Sequence, residues 1–173
     1  MLIPEGENKE FLGEEFLTWL WYYGDNNEWA MQFEDEGYVQ FGMDELLVMK
    51  SADLNSSQSL SGAVPIYSPE ARTGLKEGKK VTKARIILES GGSEWAFTCN
   101  SETFQFSSLK LLQTSTKDPE ERFLEFAYDM EQAVEVFDKM YEFFLKIRLS
   151  PEWDSKELPN IKTWMQKERE KDA

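Results

Sequence analysis

The chain of 173 residues sets 33 Asp and Glu against 19 Lys and Arg, for a formal net charge of -14, with 40% hydrophobic and 14% aromatic residues. That is enough apolar material for one domain with a real core, and too much for a disordered chain despite a mean hydropathy of -0.57. There is no histidine and one cysteine, Cys99, which excludes His-based zinc sites, Ser-His-Asp and Cys-His nucleophiles and any intramolecular disulfide, and points to a reducing compartment.

In chain order, Met1-Leu2-Ile3-Pro4-Glu5 runs directly into acidic residues, so no signal peptide is expected. Glu10 to Tyr23 places Phe16, Leu17, Leu20 and Tyr23 at helical spacing, and Gly24-Asp25-Asn26-Asn27 supplies a stop. The aromatic run from Phe16 to Tyr23 is too short to span a bilayer, so a cytoplasmic protein with no membrane partner is expected. Trp29, Met31 and Phe33 then alternate with polar residues, and a turn at Asp35-Glu36-Gly37 leads to Tyr38, Val39 and Phe41, the pattern of a hairpin. Leu46 to Met49 reads as the next strand, and Ser51 to Ser61, rich in Ser and Asn, as a loop.

Ser68-Pro69-Glu70 has the marks of a helix start, and Gly78 those of its end. Lys79 to Leu88 alternates as a strand, with Ala84, Ile86 and Leu88 on one face and Lys83 and Arg85 on the other. Gly91-Gly92 turns the chain into a strand from Trp95 to Cys99, and Phe104 to Leu112 supplies one or two more. Asp118-Pro119-Glu120-Glu121 opens a long helix. Its apolar stripe runs through Phe123, Phe126, Ala127, Met130, Ala133, Val134, Phe137, Met140, Tyr141, Phe144 and Leu145, with Lys146 and Arg148 complementing the dipole at its end. After Pro151, Leu158 to Glu168 forms a terminal helix with Ile161, Trp164 and Met165 inside. The fold class is therefore α+β, one domain over 1–173: an antiparallel sheet with an aromatic N-terminal helix, a short middle helix and a long C-terminal amphipathic helix.

Phe11 to Trp21, with its bulky aromatics, Glu70-Ala71 followed by Gly78-Lys79-Lys80-Val81-Thr82-Lys83-Ala84-Arg85, and the Trp95 to Leu111 segment with a long helix after it resemble the recombination-associated RdgC family. The resemblance covers most of this chain but only the C-terminal part of the longer members. It implies a ring-shaped homodimer that encircles duplex DNA without sequence preference and restrains recombinase filaments, a nucleoid-associated role. The longer members' amino-terminal half has no counterpart in the residues that carry the resemblance.

The residues themselves offer several sites. Met1 to Lys50 contains only Lys9 and Lys50 as cations, whereas Glu70 to Leu88 gathers Arg72, Lys76, Lys79, Lys80, Lys83 and Arg85 against Glu70 and Glu77. Such a basic island can meet successive phosphates and release counterions. The plain alternative is a solvated edge strand kept from aggregating by its lysines. Charge alone favours that alternative, and the resemblance shifts the expectation to DNA contact. Trp19, Trp21, Tyr22 and Tyr23 could stack on bases, but no cation lies near them in sequence, so core or dimer packing is favoured. Phe123, Met130, Phe137 and Phe144 recur every seven residues, as in a dimer seam, although the wider stripe fits packing on the sheet.

Glu34-Asp35-Glu36 and Asp44-Glu45 could recruit Mg²⁺, and Glu77-Gly78-Lys79 echoes part of a nuclease site, but the upstream acidic partner is not evident. Cys99 reads as a small buried apolar residue. The expectation is a non-enzymatic DNA-binding protein, without cofactor or metal, that acts as a homodimer on duplex DNA and on a recombinase filament. The other reading is an acidic interaction module, or DNA mimic, which the charge of -14 suits better.

Overall fold

A computed structural model of the chain describes residues 9–34, 37–52, 55–110 and 115–167. Among them, helix α1 spans Lys9–Asn26, strands β1, β2 and β3 span Ala30–Phe33, Gly37–Lys50 and Ser57–Gly62, and α2 spans Pro69–Lys76. Strands β4, β5 and β6 follow at Lys80–Ser90, Ser93–Asn100 and Phe106–Lys110, then helices α3 at Pro119–Arg148 and α4 at Leu158–Gln166. The class is the expected α+β. All strand pairs are antiparallel, in the order β1-β2-β4-β5-β6, with β3 also on β2.

Local signals explain most boundaries. Ser68 caps α2 by accepting the Ala71 N–H at 3.1 Å, with Pro69 behind it in the first turn. Gly78 ends the turn after α2 at φ +79, a conformation that favours glycine. Asp118 caps α3 through the Glu120 and Glu121 N–H groups.

Three expectations need correction. Leu46 to Met49 is not a separate strand but the continuation of β2, which a bulge interrupts at Asp44-Glu45. Glu45 sits there at φ +59, while Asp44 Oδ1 accepts the backbone N–H groups of Glu45 and Val64, each at 2.7 Å. The bulge lets one long strand serve two pairing registers. Ser57–Gly62, expected as loop, is the edge strand β3, recruited by backbone pairing to Glu45–Lys50 with little help from side chains. The stop at Gly24 lies early, since α1 continues to Asn26, where the Asn26 and Asn27 side chains cap the Tyr22 and Tyr23 carbonyls. The expected turn residues Asp35 and Glu36, and also Leu111, Leu112 and Glu168, lie outside the described residues.

α1 runs through the middle of the molecule. Leu17 and Leu20 are fully buried in the same core as Val81, Ile86 and Leu88 of β4, and the Thr18 hydroxyl accepts the Val81 N–H at 2.9 Å. Phe16 packs on α3 through Phe137 and Phe144, both with ring centroids 5.4 Å away. Trp21, on another side, meets Trp164 of α4 edge-on at 5.4 Å. A helix enclosed on several sides needs apolar residues around much of its circumference, which accounts for its aromatic string. At the end of α3, Arg148 reaches Glu15 of α1 at 2.6 Å and lies over the Trp153 ring, so it is a strut between helices as well as a dipole complement.

α3 is where packing and pattern part. Its second half contributes Ala133, Val136, Phe137, Met140 and Phe144 to the core. Up to Val134 one side of the helix stays open: Phe123 is 69% exposed, Phe126 44%, Met130 43% and Val134 37%. The helix is long, since 30 residues make a rod of about 45 Å.

Candidate nucleic-acid interface

The cations of the basic island do not share one surface. On β4, Thr82 falls in a bulge, so Val81 faces Met49 and Ala84 faces Leu47 in the core, while Lys80 faces Lys50 and Lys83 faces Val48. Lys80, Lys83 and Arg85 therefore lie on the face turned away from the helices, and Ala84, Ile86 and Leu88 on the core face, the alternation read from the sequence. Lys50 joins that outer face and pairs with Glu102 at 3.2 Å.

Arg85 has the right direction and little access. It is 5% exposed, donates through Nη1 to the Ser108 carbonyl on β6, and stands 3.5 Å from Glu45 in the β2 bulge. Its guanidinium clamps strands from opposite parts of the sheet. A buried charge with such partners is expensive to expose to a ligand.

Arg72 lies in the other layer. Its Nη2 is 2.5 Å from Asp25 Oδ2 of α1, and its guanidinium sits over the rings of Trp21 and Trp164 at 5.3 and 5.2 Å. Asp25 also accepts the Trp164 indole N–H at 3.0 Å. One carboxylate and one guanidinium thus pin α1, α2 and α4 together. Lys76, on the same short helix, is exposed. Lys79 pairs with Glu77 at 2.9 Å across the turn, with its side chain 12% exposed, so the Glu77-Gly78-Lys79 echo of a nuclease site is a local ion pair.

The remaining candidates resolve by burial. Trp19 and Trp21 are in the core, at 1% and 0% exposure, and cannot stack on bases without unfolding α1. Cys99 is buried, and burial pushes its thiol up to about 12, so the thiolate is inaccessible at neutral pH. Asp44 is occupied by backbone N–H groups and Glu45 by Arg85. Among the described residues no group of three or more Cys, Asp or Glu is placed to hold a metal ion. Among the same residues no helix is long and apolar enough to cross a membrane.

Sequence reasoning missed Lys50 as a member of the basic face, because it lies thirty positions from Lys80 and only the β2–β4 register brings them together. It also left open which part of the α3 stripe packs on the sheet, because the periodicity of the uncovered residues is the same as that of the buried ones. Compared with protein-family models, with curated proteins and with solved structures, the chain finds no match in any of the three.

Proposed function

We propose that the protein is a non-enzymatic, sequence-independent DNA-binding protein that meets duplex DNA with the helix-free face of its sheet and works as a nucleoid-associated cytoplasmic homodimer in recombination. The observation that carries this reading is the grouping of Lys50, Lys80 and Lys83 on that face. Phosphate neutralisation by such a group gives salt-sensitive affinity without base readout. The resemblance of the Gly78 to Arg85 segment to the RdgC family supports the same reading and suggests a recombinase filament as the setting. Arg72, Lys79 and Arg85 take structural roles in this account, Lys76 lies on α2 in the other layer, and the contact set contracts to Lys80 and Lys83, flanked by Lys50.

The test is fluorescence anisotropy with labelled duplex DNA, comparing the parent with a Lys80→Glu/Lys83→Glu variant whose circular dichroism is unchanged. The variant should lose binding at low salt while the parent retains it. Equal binding by both proteins would remove this face from the account.

The second reading, an acidic interaction module, is favoured by the formal charge of -14. It predicts that neither protein binds duplex DNA at any ionic strength.

A further inference from the structure

The open side of α3 lies beside β6, and a groove of about 620 Å³ runs between the two. Phe104, Phe106 and Phe137 form its apolar floor, with the Phe106 and Phe137 rings 4.9 Å apart. Phe126, Met130 and Val134 of α3 form one wall and recur every four residues, which makes them a ridge along the helix. From Phe126 to Tyr141 the groove follows α3 for about four turns, roughly 22 Å.

A polypeptide laid on such a floor leaves water and needs partners for its backbone N–H and C=O groups. β6 supplies few of them: it is five residues long, its pairing with β5 shifts register between Ala96 and Thr98, and Ser108 stands at φ +52. A helix needs none, because its backbone bonds close within the segment. Its apolar face, repeating at i, i+3, i+4 and i+7, can seat beside the ridge of α3 at a shallow angle, with the three-residue rows of one helix against the four-residue row of the other.

The charge on the rim narrows the choice of helix. Glu131, Asp138 and Glu142 are exposed and stand seven and four residues apart, so they form one row on the side of α3 opposite Val136 and Met140. Asp138 itself lines the groove, and desolvation, then the Glu142 charge, raise its carboxyl above the ordinary range. Lys139, next in sequence, is directed to Glu135 at 3.0 Å. β6 carries no carboxylate, so the negative charge is confined to the α3 rim. Two antiparallel copies of α3 meeting ridge to ridge would set this row against itself, and like charges facing across an interface are a strong penalty. A helix with cations on one flank of its apolar face complements it.

We propose that the groove between α3 and β6 receives an amphipathic helix of another protein, about four turns long, whose apolar face seats on Phe106, Phe126 and Met130 and whose flank toward α3 carries Lys or Arg opposite Glu131, Asp138 and Glu142. The surface shares no residue with Lys50, Lys80 and Lys83, so the inference stands whether or not the sheet face binds DNA.

The test uses the full chain and three labelled peptides of about 16 residues. The first has leucine at i, i+3, i+4 and i+7 with lysine along one flank, the second replaces every lysine with glutamate, and the third rearranges the first into a period of two. The first should bind saturably and gain helical circular dichroism on binding, and the other two should bind at least about tenfold more weakly. Met130→Asp, at an exposed position, should leave the thermal melt unchanged and weaken the first peptide by about tenfold or more, as should Glu131→Lys/Glu142→Lys. Lys83→Glu should leave that affinity unchanged or raise it slightly. Equal binding of the rearranged peptide would overturn the helical occupant, and unchanged affinity in Met130→Asp would overturn the site. Unchanged affinity in Glu131→Lys/Glu142→Lys would overturn the cationic flank. A parent dimer that Met130→Asp converts to monomer, seen by sedimentation, would assign the groove to a second copy instead.

Discussion

Arg72 and Arg85 are basic residues whose charge is already used inside the fold. Arg72 is paired with Asp25 and covered by two indoles, and both partners of the ion pair are largely withdrawn from water. Removing one member of such a pair leaves the other uncompensated, so Arg72→Ala should destabilise by about 3 kcal/mol in a urea titration. The Asp25→Ala/Arg72→Ala double variant should lose less than the sum of the single losses. A loss in Arg72→Ala of a few tenths would mean that the pair is solvent-screened and the arginine available to a ligand. Asp138 offers the opposite case, a carboxylate held ionised at a cost. Its carboxyl is raised in the folded protein, so the folded state binds the proton more readily than the unfolded chain. Its contribution to stability is therefore favourable at low pH and is lost as pH rises from the ordinary aspartate range through the raised value. Asp138→Asn should accordingly raise the melting temperature slightly at pH 7 and lose that advantage near pH 3; an advantage that grows on acidification would contradict the assignment.

At the scale of elements, helices and strands with their own local signals were legible. The Ser68-Pro69 and Asp118-Pro119 starts, the hairpin alternation and the two-faced pattern of β4 each rest on chemistry within a few residues, and each appears in the fold. What could not be read was set by partners distant in sequence. β3 has no apolar alternation of its own and becomes a strand because Glu45–Lys50 offers it a backbone edge. The Asp44-Glu45 bulge joins two apparent strands because Val64 supplies a hydrogen-bond donor to Asp44. Gly13 is legible only afterwards: a Cβ there would stand 1.8 Å from the Ser101 carbonyl oxygen, so α1 can approach the β5–β6 connection only with glycine at this position. Gly13→Ala should destabilise by about 3 kcal/mol, read as a lower urea midpoint, because the clash is with backbone and cannot be relieved by a rotamer change. An unchanged midpoint would mean that α1 does not pack this closely.

For the whole molecule, the fold divides its surface into a lysine-bearing sheet face and an acid-rimmed apolar groove, with the aromatic core between them. The composition signalled both charges but not their separation, since only the β2–β4 register sets Lys50 beside Lys80 and only the tertiary packing of α3 shows that Phe126 and Met130 stay uncovered. Periodicity left the apolar stripe of α3 open between packing on the sheet and a dimer seam, and it had no means of telling which residues the core would cover. Phe126→Ser should then cost within about 0.5 kcal/mol, whereas Phe137→Ala, in the buried half of the same stripe, should cost about 3–5 kcal/mol. Comparable losses in urea denaturation would show that the first half of α3 is packed in solution.

The claim that the sheet face contacts DNA is tested most directly by the salt dependence of duplex binding. Contacts from Lys50, Lys80 and Lys83 would neutralise about three phosphates per protomer, so the logarithm of the association constant should fall against the logarithm of salt concentration with a slope of about -3 per protomer. No binding at low ionic strength, or binding with a slope near zero, would contradict the account.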